Sequence, residues 1–391
     1  MYLKYIGNYI VRRWLSIAIQ CFLTFLTYIL LRYKYRQTSS ELFLNKKTAK
    51  HLLEIFNSNP LIDNKVEPYK FKNVKANFSN FDVFNLGGRY KDVIKQTILE
   101  YGVGSCGPRG FYGTIDAHLE LEEKLASIFG KESAILYSNY FNCVQSVISS
   151  FCKSRNNIFI DKNASEAIKR GLELSRSKAY YFESLEDLEM QLAEPITDKY
   201  VVCERMGTNT GKLLNLEKLL ELKERYRFRI ILDESYTIPF LYQEPEDKEL
   251  YNSVELIIGS LSHGYPTNGG FCIGCKEAID YQRLAGASYV FSASLPAFMS
   301  KAVMCMLDEI IDYSKIKEKI NLAFKYVPGI VTDPNSPIVL IETQDPSKSL
   351  EQLREEGYVV GRNGNLIRLC INEKTEENDL KMIGEIIKSI C

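Results

Sequence analysis

The sequence predicts an α/β protein: a parallel sheet covered by helices, preceded by one membrane-spanning helix and followed by a smaller C-terminal α+β domain. Three observations predict this fold class. Short apolar runs alternate with amphipathic stretches of about ten to fifteen residues through most of the chain. Residues 14–31 carry no charged side chain. Apolar runs near Pro337–Glu342 and Leu366–Ile371, with a final amphipathic stretch over Glu376–Ile390, predict the smaller unit.

The first element is the apolar segment Trp14–Leu31. At about 1.5 Å per residue it would form roughly 27 Å of helix, which nearly spans a thin bilayer. A cleaved signal peptide or a buried core helix would also be apolar, but the Arg-Tyr-Lys-Tyr-Arg run that follows is unlike a cleavage site. Because Lys46, Lys47 and Lys50 add positive charge after the segment, we predict an uncleaved single-span anchor with a cytosolic C-terminal side.

Four segments are expected: the anchor at 14–31, an amphipathic and linker segment at 32–75, a large domain at 76–297 and a small domain at 298–391. Within the linker, Glu41–Phe56 is expected to be helical and Asn57–Asn77 irregular. A helical stretch is expected from Pro296 to about Tyr326. The expected strands of the large domain are short apolar runs: Ser133–Tyr137, Ile158–Ile160, Ala179–Phe182, Tyr200–Cys203, Arg229–Leu232, Leu256–Gly259 and Phe271–Ile273.

The stretch after Asp116 illustrates how the helices are predicted. Asp116 is expected to cap the helix, and Glu120, Glu122 and Glu123 suit the positive end of its dipole. Apolar residues fall on one face, and Gly130 is expected to end the helix.

Composition limits the function. The 391 residues include 49 basic and 49 acidic side chains, so bulk charge does not favour a nucleic-acid partner. Hydrophobic residues make up 46% and charged residues 25%, as in a globular protein. The ten cysteines follow no repeating frame, which is typical of reduced thiols in a cytosol-facing protein.

Two short motifs are weak on their own. Residues 102–107, Gly-Val-Gly-Ser-Cys-Gly, have the spacing of a dinucleotide-binding fingerprint, but a helical stretch precedes them and a glycine-rich run follows, so they predict a loop with positive backbone dihedrals. Cys272-Ile-Gly-Cys275 has no second ligand pair, and we predict core strand cysteines and no metal site. Among the histidines, His118 is predicted to be a structural hydrogen-bonding residue, and no catalytic triad can be assembled.

Longer runs carry a resemblance. Residues 101–123, Tyr-Gly-Val-Gly-Ser-Cys-Gly-Pro-Arg-Gly-Phe-Tyr-Gly-Thr-Ile-Asp-Ala-His-Leu-Glu-Leu-Glu-Glu, resemble the non-catalytic first long-chain-base subunits of eukaryotic serine palmitoyltransferase. Residues 259–271, Gly-Ser-Leu-Ser-His-Gly-Tyr-Pro-Thr-Asn-Gly-Gly-Phe, and residues 291–296, Phe-Ser-Ala-Ser-Leu-Pro, resemble the cofactor-lysine and phosphate segments of the wider α-oxoamine synthase family. The resemblance implies a type I pyridoxal-phosphate (PLP) transferase fold over most of residues 76–297.

The resemblance also implies a vestigial cofactor pocket. Members that catalyse the reaction need a lysine amine for a Schiff base with the cofactor, and the same frame here presents His263, whose imidazole cannot form one. Asp233 matches the aspartate that keeps the pyridine nitrogen protonated; the alternative is a strand-end carboxylate that caps a helix or pairs with a base, and weak cofactor binding stays open. Tyr236 and Asn163 replace two family histidines, and Tyr140 stands where relatives often have glycine. No catalytic residue is therefore assigned to this chain.

In this family each active site lies at a dimer interface, so a chain without its own lysine can complete a partner's site. The resemblance implies that the loop at residues 102–113, with Cys106, Gly107 and Arg109, faces the partner's cofactor. Ser292 and Ser294 match the segment that reaches the neighbour's phosphate. Arg368 matches a substrate-carboxylate position, and we expect it to pair locally here.

The function implied is that of a lysine-less subunit of serine palmitoyltransferase, which condenses serine with palmitoyl-CoA to 3-oxosphinganine in sphingolipid synthesis. The cofactor would be PLP in the partner subunit, with none covalently held in this chain. The implied partners are that catalytic subunit, membrane lipid and small regulatory membrane subunits, at the endoplasmic reticulum membrane with a cytosolic globular body. The alternatives are an autonomous α-oxoamine synthase with a displaced lysine, and a scaffold or regulatory subunit that completes no site.

Overall fold

The computed structural model describes residues 2–40, 47, 50, 51, 74–241, 245–309 and 312–390. The chain divides into two units, Met1–Phe71 and Lys72–Cys391. In the first unit a helix covers Tyr2–Ser40, and its Arg13–Arg32 part is long and apolar enough to cross a membrane, with a mean hydropathy of 1.9. Of the helix predicted over 41–56, residues 47, 50 and 51 are described and are helical. The rest of it and most of the predicted connector lie outside the described residues.

The described residues of the second unit form twelve strands. They are β1 (Ala76–Asn77), β2 (Ser133–Tyr137), β3 (Asn157–Asp161), β4 (Lys178–Phe182), β5 (Lys199–Glu204), β6 (Arg229–Asp233), β7 (Leu256–Ser260), β8 (Gly270–Gly274), β9 (Ile338–Glu342), β10 (Tyr358–Val359), β11 (Gly361–Asn363) and β12 (Leu366–Cys370). The seven strands predicted for the large domain are confirmed, each to within one residue at either end. The two predicted C-terminal strands correspond to β9 and β12.

Seven strands form the central sheet, in the order β2-β8-β7-β6-β5-β3-β4. Strands β4, β3, β5, β6 and β7 run parallel to one another, but β8 is antiparallel to both β2 and β7. The predicted parallel sheet therefore contains one antiparallel strand, β8. The reason is the short connection over residues 261–269, because a parallel return needs a crossover of a dozen or more residues.

Helices cover both faces of this sheet, and further helices pack on the C-terminal strands and on one another. They span Lys91–Tyr101, Asp116–Ile128, Tyr140–Phe151, Glu166–Ser175, Leu185–Leu192, Leu216–Tyr226, Ile238–Leu241, Pro245–Asn252, Lys276–Ala285, Ala287–Phe291, Ala297–Leu307, Ser314–Tyr326, Pro346–Glu355 and Glu377–Ile390. The helical stretch predicted from Pro296 to Tyr326 is thus two helices. The second begins just after Asp312, whose carboxylate accepts a hydrogen bond from the Ser314 backbone N–H at 3.0 Å.

The helix Asp116–Ile128 starts one residue earlier than predicted. Its N-cap is Ile115, and the Ile115 backbone N–H donates to His118 Nδ1 at 3.3 Å. The prediction that Asp116 caps the helix is therefore wrong, because a buried imidazole takes that place. His118 Nε2 also lies 2.6 Å from the Leu295 carbonyl oxygen, which agrees with a structural role for this histidine.

The core alternates across the sheet, as strands buried on both faces require. In β6, Ile230 and Leu232 pack into one hydrophobic cluster while Ile231 packs into the other. The first cluster continues into the antiparallel sheet β11-β12-β9 and the C-terminal helix, so it spans both sides of the domain boundary predicted after residue 297. That boundary stays a prediction. The parallel strands end at one edge, where the polar residues described next are gathered.

Candidate functional site

Asp233 lies at the carboxyl end of β6 and is 2% exposed. Its Oδ2 accepts a 2.5 Å hydrogen bond from the Tyr140 hydroxyl, and its Oδ1 accepts bonds from the Ser235 backbone N–H at 2.9 Å and the Ser235 hydroxyl at 2.5 Å. Burial raises the pKa of Asp233 and of Tyr140. Both carboxylate oxygens are therefore satisfied by side chains and backbone of this chain.

His263, the residue in the frame of the family's lysine, follows β7 and contacts two tyrosines. Its ring lies 5.5 Å from the Tyr140 ring, edge to face, and 4.6 Å from the Tyr236 ring. Its Nδ1 is buried and has no hydrogen-bond partner within the described part of the chain. Burial, followed by the charge of Arg368, lowers the pKa of His263 to about 4, so the ring is neutral near pH 7.

Arg368 on β12 completes this group. Its guanidinium lies 5.8 Å from the centre of the Tyr236 ring, at cation–π range. Its buried Nε and Nη2 atoms have no hydrogen-bond partner among the described residues. Among the described residues, the local contact of Arg368 is with this aromatic face. We call Tyr140, Asp233, Tyr236, His263 and Arg368 the β6 pocket cluster.

Asn163 makes other contacts. Its backbone N–H donates to Asp161 Oδ1 at 2.6 Å, and its carbonyl accepts from Asn209 Nδ2 at 3.0 Å. It is exposed and lines a cavity of about 430 Å³ that Asp161 and Glu204 also line. The sequence placed Tyr140, Asp233, Tyr236, His263 and Asn163 in one predicted pocket. The first four belong to the β6 pocket cluster, whereas Asn163 contacts a neighbouring loop.

Sequence reasoning missed Glu204 at the carboxyl end of β5. In the sheet register it stands opposite Asp233 on the adjacent parallel strand, and the Thr208 hydroxyl donates to its Oε1. Burial and the nearby Asp233 raise the pKa of Glu204 to about 8. The available signal was a carboxylate directly after an apolar run, next in the sheet to a strand that also ends in an acid.

The loop at residues 102–113 presents an apolar surface. Val103 is 75% exposed, Phe111 65% and Tyr112 74%, and the neighbouring Phe291 is 77% exposed. We call these four side chains the loop face. The predicted positive dihedrals occur at Gly102, with a φ of 75°, and at Cys106, with a φ of 53° and an exposed side chain.

The back of this loop is held tightly. The Gly107 carbonyl accepts from the Ser294 backbone N–H at 3.0 Å, and Pro108 forms a β-bridge with Ala293. A Cβ on Gly113 would lie 2.0 Å from the Gly107 carbonyl oxygen, so this turn requires glycine. Backbone contacts therefore fix the loop to the segment after Phe291.

Arg109 points into its own chain. It is 6% exposed, and its Nη1 donates to Glu122 Oε1 at 2.9 Å. Its Nε donates to the Thr114 hydroxyl at 3.0 Å, which closes the loop. Any contribution of Arg109 to a neighbouring site would therefore come through the loop it positions.

The two predicted serines differ in surroundings. Ser294 is 8% exposed, and its hydroxyl is hydrogen-bonded with that of Ser105 in the loop. Ser292 is half-buried, its hydroxyl donates to the Ser288 carbonyl, and it lies 3.5 Å from the Ser138 hydroxyl. Ser294 thus ties the loop to the segment behind it, while Ser292 lies between Phe291 and the end of β2.

Among the described residues, no three His, Cys, Asp or Glu side chains lie close enough together to hold a metal ion. Cys272 is buried in β8, whereas Cys275 is exposed after it. The interpretation of both as core cysteines is therefore wrong for Cys275, because β8 has ended and the chain has returned to the surface.

The fold and the site define the class of protein to which this chain belongs. The family model described as aminotransferase class I and II matches residues 77–386, and the chain belongs to that family. Relatives that the chain resembles are named for long-chain-base biosynthesis and for serine palmitoyltransferase. Long chain base biosynthesis protein 1 of Arabidopsis thaliana is 34% identical over 319 residues, or 74% of this chain and 66% of the relative. Serine palmitoyltransferase 1 of Dictyostelium discoideum is 38% identical over 244 residues, or 59% of this chain and 51% of the relative.

The chain thus spans about two thirds or less of the length of these relatives. Long chain base biosynthesis protein 1b of Oryza sativa subsp. japonica is matched over 79% of its length at 33% identity. Among solved structures, Sphingomonas wittichii serine palmitoyltransferase superposes with a TM-score of 0.74 at 20% identity, covering 88% of this chain and 95% of that one. The predicted resemblance and the type I pyridoxal-phosphate transferase fold are confirmed.

Proposed function

We propose that this chain is a lysine-less subunit of serine palmitoyltransferase that pairs with a PLP-bearing subunit and completes its active site. The relatives named above support the sphingolipid assignment. The reaction of the assembled enzyme would condense serine with palmitoyl-CoA to 3-oxosphinganine. This chain would supply a surface to the site and no covalent chemistry of its own.

The observation that carries the proposal is the loop face. Three of its large side chains, 65–75% exposed, lie on a loop that buried contacts hold from behind, and Phe291, 77% exposed, lies beside that loop. Isolated exposed apolar residues are ordinary, but an apolar group on a rigid loop is typical of an interface with another protein. Its position beside Cys106 and Ser292, which match the partner-facing segments of the family, favours the catalytic subunit as that partner.

The proposed division between a catalytic and a non-catalytic subunit depends on the lysine amine that would hold the cofactor. When bound, pyridoxal phosphate supplies an electron sink, and it needs a lysine to hold it and to move protons. No lysine lies between Gly259 and Cys275, and His263 there is neutral and packed between two tyrosines. The residues of the β6 pocket cluster therefore do not fit a covalently held cofactor.

The apolar helix supports a membrane location. A single span over Arg13–Arg32 would hold the globular unit beside a bilayer into which an acyl-CoA substrate and its product both partition. We propose the endoplasmic reticulum membrane with the globular unit on the cytosolic side, and small regulatory membrane subunits as further partners. The charges after the span favour that orientation.

Reconstitution tests the proposal. The chain alone, a PLP-bearing homologue alone and the two co-expressed would each be assayed for release of 3-oxosphinganine from serine and palmitoyl-CoA. We expect turnover only when both are present. Turnover by the chain alone would establish the autonomous synthase instead, and recovery of a homodimer would contradict the assignment.

A matched substitution separates site completion from scaffolding. Cys106→Ala alters an exposed side chain on the loop, so assembly should persist while the rate falls or amino-acid preference changes. Cys275→Ala, at another exposed cysteine of the globular unit, is the control and should change neither. If Cys106→Ala complexes form normally and keep full rate and preference, the scaffold alternative stands.

A further inference from the structure

We infer that Tyr140 closes this chain's own pocket to pyridoxal phosphate, even to non-covalent binding. Its ring fills the space beside His263, and its hydroxyl takes the Asp233 oxygen that a pyridinium N–H would need. The inference goes beyond the missing lysine and does not depend on any partner. It concerns only the β6 pocket cluster.

The backbone gives Tyr140 little freedom to withdraw. It is the first residue of the helix Tyr140–Phe151, which the Asn139 side chain caps by accepting from the Asn142 backbone N–H at 2.8 Å. The helix start packs against β8 so closely that a Cβ on Gly270 would lie 2.8 Å from the Tyr140 Cα. The tyrosine side chain therefore enters the pocket from a fixed point.

Aromatic contacts fill the space next to it. The Tyr140 ring meets His263 edge to face, His263 meets Tyr236, and Tyr236 meets Phe81 edge to face at 4.8 Å. Arg368 covers the Tyr236 ring from β12. A cofactor ring would have to displace a continuous set of packed side chains, at a cost in lost contacts.

The polar contacts oppose binding as well. In enzymes of this chemistry a carboxylate pairs with the protonated pyridine nitrogen. Here Asp233 Oδ2 already accepts the Tyr140 hydroxyl, and Ser235 donates twice to Oδ1. A ligand that took Asp233 would leave the Tyr140 hydroxyl buried without its acceptor, which is costly. The packed side chains and the hydrogen bonds to Asp233 thus both oppose binding of the pyridoxal phosphate ring.

The test uses pyridoxamine 5′-phosphate, which keeps the ring, the nitrogen and the phosphate but cannot form Schiff bases with surface lysines. Its binding to the purified full chain is followed by fluorescence titration. Wild type and Tyr140→Phe, which keeps the ring, should show no saturable binding. Tyr140→Gly should bind saturably, with an affinity at least about tenfold above the detection limit of the titration.

The control is Tyr313→Gly, which removes another tyrosine at a helix start, one that packs on Phe240 at 4.8 Å. It should lower thermal stability in a similar way without creating binding. Saturable, stoichiometric binding by wild type would overturn the inference. So would a folded Tyr140→Gly chain that binds no better than Tyr140→Phe.

A covalent readout gives an independent arm. His263→Lys alone, treated with pyridoxal phosphate and then borohydride, should carry no label at position 263 by peptide mapping. Adding Tyr140→Gly to His263→Lys should produce that label. Labelling of position 263 in the single variant would show that Tyr140 does not close the pocket.

Discussion

Arg109 and Glu122 form a 2.9 Å salt bridge in which both side chains are almost fully buried, 3% and 5% exposed. Glu122 also accepts from Arg283 Nη2 at 3.1 Å and from the Leu136 backbone N–H at 2.8 Å. One carboxylate thus joins the loop at residues 102–113 to β2 and to the helix Lys276–Ala285. The rigidity of the loop face is a consequence of this buried network.

Breaking the network should be costly. Glu122→Gln would leave the buried Arg109 guanidinium without its counter-charge and would remove one of the two carboxylates beside Arg283. Loss of one member of a buried pair costs about 3–5 kcal/mol. We expect a large decrease in thermal stability and loss of complex activity. The matched control is Glu183→Gln, because the Lys162–Glu183 pair is 64% and 68% exposed and should contribute less than about 1 kcal/mol. Equal effects of the two substitutions would contradict a special role for Glu122.

Charges on the loop face should prevent assembly without unfolding the chain. Tyr112→Asp and Phe291→Asp place a carboxylate where an apolar contact is expected, so affinity for the catalytic subunit should fall at least about tenfold. Thermal stability of the isolated chain should hardly change, since both side chains are exposed. Co-purification yield and sedimentation velocity measure the loss.

The control for these charges lies on other elements. Leu174 is 58% exposed and Met190 68% exposed, on helices away from the loop in sequence. Leu174→Asp and Met190→Asp should leave assembly unchanged. If they weaken it as much as the loop substitutions, exposure alone and not the loop face determines association.

The strands were predictable because each is a short apolar run that packs on both faces of the sheet, as Ile230, Ile231 and Leu232 show. The direction of β8 could not be predicted from its residues, because the apolar pattern of a buried strand is the same in either direction. Only the length of the preceding connection distinguishes a parallel strand from an antiparallel one.

The sequence predicted which residues form the site better than it predicted the contacts between them. The acidic side chain of Glu122 looked favourable to a helix dipole, yet it is the buried counter-ion of Arg109. Two side chains 13 residues apart met through tertiary packing that local patterns do not encode. For the same reason, the hydrogen bond from Tyr140 to Asp233 needed the structure.

The apolar helix should decide membrane association. Leu23→Arg places a charge near the middle of the Arg13–Arg32 span, at a cost of about 3 kcal/mol for insertion. A second arginine at Leu26 should move most of the chain to the supernatant after alkaline extraction of membranes. Leu23→Phe is the apolar control and should stay in the pellet. Extraction of wild type under the same conditions would contradict an integral anchor.

Glu204 gives a prediction on pH. Burial and Asp233 raise the pKa of Glu204 from its ordinary 4.5 to about 8 in the folded chain. Between these two pH values the folded state holds a proton that the unfolded state has lost, so stability falls as pH rises through the window. From pH 6.5 to 8 the loss from this group should be about 2 kcal/mol.

Glu204→Gln should flatten that dependence, because an amide keeps the acceptor for Thr208 and cannot ionise. Part of the decrease in stability with pH should persist, because burial also raises the pKa of Glu234 to about 7. Its ionisation lowers stability in the same direction. His263, whose pKa is lowered from its ordinary 6.5 to about 4, contributes only about 0.4 kcal/mol between pH 6.5 and 8, and in the opposite direction, because the imidazole of the unfolded chain loses its remaining proton there. Denaturant unfolding at pH 6.5 and 8 measures the difference, and an unchanged slope in Glu204→Gln would show that Glu204 is ionised in the folded chain at neutral pH.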